Sequence, residues 1–411
     1  MRKLSVQFRA APDRAVSVGT LAEQSKRIYF EYSPEFLDTG LQLSPFKLPS
    51  KAGLFEHTDR RFGPLPGLFD DSLPDGWGLL LMDRHFRQSG LDLATVSPLD
   101  RLAWLGTRTM GALTYHPPTH DTDTHSERLI DLHELGCNAA SVLAGEATQI
   151  LPKLLSAGGS PGGARPKVLV GVQGECVISG EDTMPEGYEA WIVKFPAETD
   201  AAYAGPLEYA YGLMATAAGI DMPPTRLFDV GPKTAARRYF AVRRFDRGHG
   251  GRRRHVHTFA NLVHVDFRLP TTDYADLFRI TRALTKNHQD VLGLFRRMVF
   301  NVAACNRDDH AKNFAFLLDD ETSDWSLSPA YDLTFSPGPG GEHTTTLLGE
   351  GRRPTRTHCL SLARKSGVRD DESARIIEEV NAAIRRWSDF ADQARCPKRA
   401  AAQAGEKMTL L

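Results

Sequence analysis

Asp308, His310, Lys312 and Asn313 crowd into one short stretch, CNRDDHAKNFAF, and Asp332 follows in SPAYDL. A carboxylate, a side-chain amide and a second carboxylate in that order suit phosphoryl transfer. One carboxylate faces the acceptor hydroxyl while the other oxygen donors hold Mg²⁺ against nucleotide phosphates. Lys312 favours an anionic ligand over a bare metal cage. Each residue alone reads equally as loop chemistry, because Asp and Asn suit turns and helix ends. The run Asp308-Asp309-His310 also admits a hydrolytic metal, but one histidine without a second His cluster is a weaker set for that purpose.

Two upstream features carry the same chemistry. Lys194 lies in AWIVKFP, flanked by Trp191, Ile192, Val193 and Phe195, and burying an ammonium there requires an anion to meet it. A gatekeeper lysine on an edge strand is the competing explanation. Its place after a glycine-rich loop favours a phosphate. Glu208, opening the next helical stretch, is a candidate partner for Lys194 or a carboxylate that offsets the helix dipole. The loop itself, GGSPGGARPK from Gly158 to Lys167, would let backbone amides approach phosphate oxygens, with Arg165 and Lys167 adding charge. No Gly-Lys-Ser/Thr opens a helix here, so it is not a Walker motif, and a flexible linker has the same composition. The basic cluster Arg252 to Arg254 reads as a solvated loop or as a contact for an acidic partner or DNA.

The elements that would position these residues follow from periodicity. Leu4, Val6 and Phe8, then Ile28 and Phe30, alternate as short strands of a small sheet. Asp75 is placed to cap a helix with Leu79, Met82 and Phe86 on its apolar face. A helix over Leu99 to Leu105 and a strand from Gly111 to Tyr115 complete this part, and the polar HPPTHDTDTHSE marks a boundary near residue 120. A helical stretch from Leu129 to Leu143 precedes the glycine-rich loop. Strands are expected at VLVGV, CVISG, AWIVKFP, TRLFDV and RRYFAVRRF, with a helix from Leu207 between them. Beyond residue 257, Tyr274 to Leu284 and Val291 to Val302 repeat at helical spacing. The second of these helices runs into the Asp308 loop, and a hairpin of Phe314 to Leu318 and Trp325 to Leu327 leads on to Asp332. One more helix, Glu372 to about Phe390, precedes a tail expected to fray.

A chain of 411 residues suits two or three domains at about 150 residues each. With 41% hydrophobic and 25% charged residues it lies far from disordered composition. Lys plus Arg is 50 against 51 Asp plus Glu, so no global basic field draws it to nucleic acid and any polyanion contact must be local. Cys137, Cys176, Cys305, Cys359 and Cys396 are scattered and never form Cys-x-x-Cys, which fits a reducing cytoplasm better than a disulfide framework or zinc ribbon. No segment approaches the ~18 apolar residues of a membrane span.

Asp308 to Asn313 repeats the step between the catalytic Asp and metal-binding Asn of protein-kinase catalytic loops. In the order glycine-rich loop, strand lysine, Asp-x-x-x-x-Asn loop and later Asp, the chain resembles the HipA family of serine/threonine kinase toxins over nearly its whole length. FDDSLPDGWG resembles the family's first subdomain, and SPGGARPK, WIVKFP, VRRFDR, NRDDHAKNF and SPAYDL resemble its kinase core. The resemblance implies an α+β fold. A small N-terminal α/β subdomain (1–120) would precede a two-lobed protein-kinase-like core of the HipA and PI3-kinase type, with an N-lobe (121–256), a mostly helical C-lobe (257–395) and a tail (396–411).

It also implies ATP and Mg²⁺ as cofactors, with Asp308 catalytic and Asn313 and Asp332 as metal ligands. Nucleotide contacts would come from Gly162, Gly163, Ala164, Arg165, Lys167, Lys194, Arg243, Arg244, Phe245, His310, Lys312 and Tyr331. Ser160 falls at the family's autophosphorylation position, where an added phosphate would oppose those of ATP. The implied partners are a HipB-like helix-turn-helix antitoxin, DNA only through that antitoxin, and a protein substrate such as an aminoacyl-tRNA synthetase, with no membrane contact. The sequence departs from general protein kinases at Asn306-Arg307 and Asp332-Leu333-Thr334, which suits this family. Arg243 stands where an acidic hinge residue is frequent, and Pro161 directly follows Ser160. Two rival functions share the motif set: a small-molecule phosphotransferase acting on an antibiotic or lipid-like substrate, and a non-catalytic nucleotide-binding corepressor.

Overall fold

Leu4, Val6, Phe8 and Ala10 are buried while the residues between them are not, the two-residue period of a strand with one face on a core. They lie on β1 (Arg2–Ala11), which pairs antiparallel with β2 (Arg14–Gln24); β3 (Arg27–Tyr32) follows. After α1 (Pro34–Asp38) come β4 (Leu54–Glu56), α2 (Gly67–Asp70), α3 (Gly76–Gln88), α4 (Pro98–Leu105) and β5 (Leu113–His116). The strands form one sheet in the order β4-β3-β2-β1-β5. The structure, a computed structural model, describes residues 1–119, 129–146, 154, 162–180, 184–197, 200–231 and 237–411.

The middle of the chain builds a second antiparallel sheet. It contains α5 (Leu132–Leu143), β6 (Lys167–Gln173), β7 (Cys176–Ser179), β8 (Glu189–Lys194), α6 (Ala204–Ala217), β9 (Thr225–Val230) and β10 (Arg237–Arg243). The strand order is β7-β6-β8-β10-β9. The register places Lys167 directly beside Lys194. β11 (His255–Thr258), α7 (Phe259–Val263), β12 (Thr272–Asp273), α8 (Tyr274–Thr285) and α9 (His288–Ala303) then begin a helical lobe. β13 (Ala315–Leu318) and β14 (Trp325–Leu327) form the hairpin beside β11, and β15 (Thr345–Thr346) pairs with β12. The lobe closes with α10 (Arg356–Lys365), α11 (Asp370–Arg385), α12 (Trp387–Gln393) and α13 (Lys398–Gly405). The fold is thus α+β: a small N-terminal subdomain, a second antiparallel sheet with its helices, and a mostly helical lobe.

Several details differ from the sequence expectation. The single helix expected from Glu372 to about Phe390 is two, α11 and α12, broken at Arg386. The buried face of α3 is Trp77, Leu81, Met82 and Phe86, with Leu79 only half-buried, and Asp75 stands at the helix start without capping it. The helix expected from Leu129 begins at Leu132, because the Asp131 carboxylate accepts the His133 N–H at 2.7 Å and sets the start there; Leu129 instead bridges to Ile178. The tail does not fray: Ala400 and Ala404 of α13 are buried, and the Thr409 N–H donates to Ala303 O at 2.8 Å.

Candidate active site

Lys194 ends β8 with its ammonium between two carboxylates. Glu208, on the first turns of α6, accepts from Nζ at 2.5 Å, and Asp332 Oδ1 accepts from the same nitrogen. Burial opposes the charge on Lys194, yet the Asp332 and Glu208 carboxylates outweigh it and hold the ammonium above its ordinary range. Shielding from water likewise opposes the charge on Asp332, and Lys194 and Lys167 hold it well below the usual carboxylate range. Asp332 has φ 54°, a left-handed conformation that Asp tolerates. Of the two explanations for Glu208, the ion pair is the one the geometry supports, since the carboxylate is 5% exposed and directed at Lys194.

The Asp308 loop starts where α9 ends. Asp308 is exposed, whereas its neighbour Asp309 is fully buried. The Asp309 carboxylate accepts from Tyr274 Oη at 2.8 Å, His343 Nδ1 at 2.9 Å, and the Thr344 and Thr345 N–H groups at 3.0 and 3.2 Å. Asn301 donates to Tyr274 Oη at 3.0 Å and Asn306 to Asn301 Oδ1 at 2.9 Å, so the network reaches back into α9. Asn313 Nδ2 donates to Asp308 O at 2.7 Å and Tyr331 Oη donates to Lys312 O at 2.5 Å, which folds the loop onto itself. Shielding from water and the Asp332 carboxylate push the Asp308 carboxyl up, against the opposing pull of His310. Asp309 was legible only as one acid in a polar run; nothing in the sequence marks it as the loop's anchor.

The remaining candidates divide. Gly162, Gly163 and Ala164 lead into β6, where Lys167 is buried and its Nζ donates to Gly162 O. Arg165 is engaged by Asp200, with Nε to Oδ2 at 2.9 Å. Arg243 pairs with Glu189 at 2.8 Å. Arg244 is buried in a fork with Asp246, at 2.9 and 2.7 Å, so its guanidinium is committed within the chain. Phe245 lies tilted against Tyr331, the ring centres 5.7 Å apart. His310 lies against Phe267 at 5.3 Å, and Lys312 sits over the same ring at 4.6 Å. Ser160 lies outside the described residues. Sequence reasoning missed Asp75, whose Oδ2 is 3.3 Å from Lys312 Nζ.

Asn313 and Asp332 offer the hard oxygen donors Mg²⁺ takes. The Asn313 amide nitrogen is committed to Asp308 O, which leaves its oxygen for a cation. The mutual repulsion of Asp308 and Asp332 is the electrostatic situation a divalent cation relieves. The donor set therefore fits the ion.

Residues 14–116 match the family described as HipA N-terminal domain, and residues 159–387 the family described as HipA-like C-terminal domain. A Sinorhizobium fredii protein named as a kinase, Y4mE, is 31% identical over 188 residues, 42% of this chain and 41% of that protein; the match spans about two-fifths of the relative's length. Among solved structures, the HipA chain from the Shewanella oneidensis complex of HipA, HipB and operator DNA superposes with a TM-score of 0.70. The alignment covers 98% of this chain and 94% of that one at 16% identity, which establishes a shared fold. With matches to both parts of the family and the second alone spanning more than half the sequence, the chain belongs to the HipA family.

Proposed function

We propose that this chain is an ATP- and Mg²⁺-dependent protein serine/threonine kinase acting as the toxin of a toxin–antitoxin pair. The observation that carries the reading is the meeting of Lys194, Glu208 and Asp332 beside a loop that presents Asp308 to solvent. Asp308 would orient the acceptor hydroxyl and take its proton as the hydroxyl oxygen bonds to the γ-phosphorus and the bond to ADP breaks. Lys194 would turn from Asp332 to phosphate oxygens, with Glu208 keeping it in place. Asn313 and Asp332 would hold Mg²⁺, which when bound draws charge from the phosphate oxygens. Gly162 to Lys167 would face the phosphates, while the Arg243 to Phe245 hinge and Tyr331 would border the base.

The partner is a HipB-like helix-turn-helix antitoxin through which DNA is met indirectly, a reading supported by the Shewanella oneidensis relative, which is found in a complex with HipB and operator DNA. The near-balanced charge agrees with delegated DNA binding. Within this reading the substrate is a translation component such as an aminoacyl-tRNA synthetase, Ser160 is the autophosphorylation site, and the protein works in the cytoplasm. Labelled ATP with Mg²⁺ and a cell lysate tests it. The wild type should label protein, and Asp308→Asn should lose about 10²–10⁴-fold in rate, the usual contribution of a general base. Label on a metabolite with none on protein, or a variant as active as wild type, would overturn the reading.

A further inference from the structure

Asp75 belongs to the N-terminal subdomain, yet both of its carboxylate oxygens serve the other side of the active site. Oδ1 accepts the backbone N–H of Gly163 in the glycine-rich loop, and Oδ2 meets Lys312 Nζ of the catalytic loop at 3.3 Å. The side chain is only 16% exposed. Adjacent bonds press the start of α3 onto the loop: Trp77 N–H donates to Gly163 O and its Nε1 to Lys167 O, both at 3.1 Å. The approach is so close that a Cβ at Gly76 would stand 2.6 Å from Ala164 Cα. Although burial disfavours its charge, Lys312 and the Gly163 N–H hold the Asp75 carboxyl below its ordinary range, so it is an anion in this position.

A backbone N–H from a glycine turn and a nearby ammonium are the donors that a phosphate oxygen takes. Asp75 satisfies both from within the chain. We propose that Asp75 is a built-in stand-in for a nucleotide phosphate oxygen, closing the phosphate loop against the N-terminal subdomain until incoming nucleotide displaces it from Gly163 and Lys312. The inference rests on the nucleotide-binding reading above and adds a regulatory contact to that site. The single Gly163 N–H cannot serve the carboxylate and a phosphate equally, and two anions brought together beside Lys312 repel each other. The Trp77 bonds do not involve the carboxylate, so they would keep the loop in reach once Asp75 lets go.

The test is ADP binding by calorimetry on the full chain, comparing wild type with Asp75→Asn and Asp75→Glu. Asparagine keeps the shape and an acceptor for the Gly163 N–H but loses the charge; glutamate keeps the charge. Asp75→Asn should bind ADP at least about fivefold more tightly, as follows if the closed contact holds about four-fifths or more of the free protein. Its KM for ATP should fall with kcat little changed, while Asp75→Glu should gain no affinity. Circular dichroism and melting confirm that each variant is folded at the temperature used, and Asp75→Ala, read in the same way, replaces Asp75→Asn if that variant melts early. Equal or weaker binding by the folded uncharged variant would show Asp75 to be only a support for the loop and overturn the proposal. If neither wild type nor variant binds ADP or ATP, the nucleotide reading fails and the latch with it.

Discussion

Asp308 and Asp309 are adjacent in sequence and opposite in surroundings. The first is exposed at the mouth of the site, and the second is surrounded by four donors in the interior. Their substitutions should therefore separate activity from stability. Asp309→Ala leaves Tyr274, His343 and two backbone N–H groups without their acceptor, and each buried donor so stranded costs about 1–3 kcal/mol. We expect the variant to lose at least about 2 kcal/mol in chemical denaturation, with the proposed phosphoryl transfer falling as the loop loosens. Asp308→Asn should show the loss of transfer of about 10²–10⁴-fold proposed above, while its stability stays within about 0.5 kcal/mol of wild type, the usual range for a surface change. A stable Asp309→Ala protein would mean that the loop is held by its backbone alone. The Asp308 to Asn313 step was readable because both residues sit in one short loop whose spacing is set by the chemistry. Asp75 was not, since its partner Gly163 lies 88 positions away and a residue before a helix is expected to cap it.

At the scale of elements, α8 and α9 were legible because large apolar residues recur every three to four positions and bury together: Leu277, Phe278, Leu294, Phe295, Met298. The last helix, α13, escaped the same reading because KRAAAQAG has no large apolar residue to set a period. Its smallness is what lets it dock. A Cβ on Gly405 would lie 3.0 Å from the Trp387 ring, and Trp387 Nε1 donates to Ala401 O at 2.8 Å. The chain end is pinned further by Asn381, which donates to Leu411 O at 2.7 Å and accepts the Leu411 N–H at 3.0 Å. Ala404 is 1% exposed, so Ala404→Leu should overpack the seam and cost about 1–3 kcal/mol, whereas Ala402→Leu on the exposed face should be close to neutral. Thermal melting of the two variants decides it; equal melting temperatures would show that α13 contributes nothing to the lobe.

The whole molecule is joined across its subdomains by shared interior. One apolar cluster runs from Phe8 and Phe30 of the first sheet through Phe69 of α2 to Phe259 and the C-lobe helices, and a second joins Trp77 and Leu81 to Val168, Val193 and Tyr239 of the N-lobe sheet. Asp246 adds a polar joint: buried against Arg244 and Arg247, it accepts the Gly111 N–H at 2.8 Å from the N-terminal subdomain. A boundary near residue 120 drawn from composition alone says nothing of these contacts, because they are made by residues distant in sequence.

Two histidines on the C-lobe side of the same seam give it a pH dependence. His264 Nε2 accepts the Gly67 N–H at 3.0 Å, which only the neutral ring can do, with Asp59, Lys47 and His57 around it. His255 bonds Leu43 O at 3.0 Å beside His257 and Asp71. Burial is the chief cause that lowers each from 6.5 to about 4. Between those values the unfolded chain binds more protons than the folded one, so stability is complete above pH 6.5 and declines as pH falls towards 4. The slope is about 1.4 kcal/mol per pH unit for each histidine fully titrating in the unfolded state alone. His264→Gln can still accept the Gly67 N–H through its amide oxygen and has no proton to gain. Denaturant titrations at pH 4.5, 5.5 and 6.5 should therefore show a shallower loss for His264→Gln than for wild type, by up to about one proton. Parallel lines would mean that His264 titrates alike in both states, and the seam would then owe its strength to the apolar clusters and Asp246 rather than to a neutral imidazole.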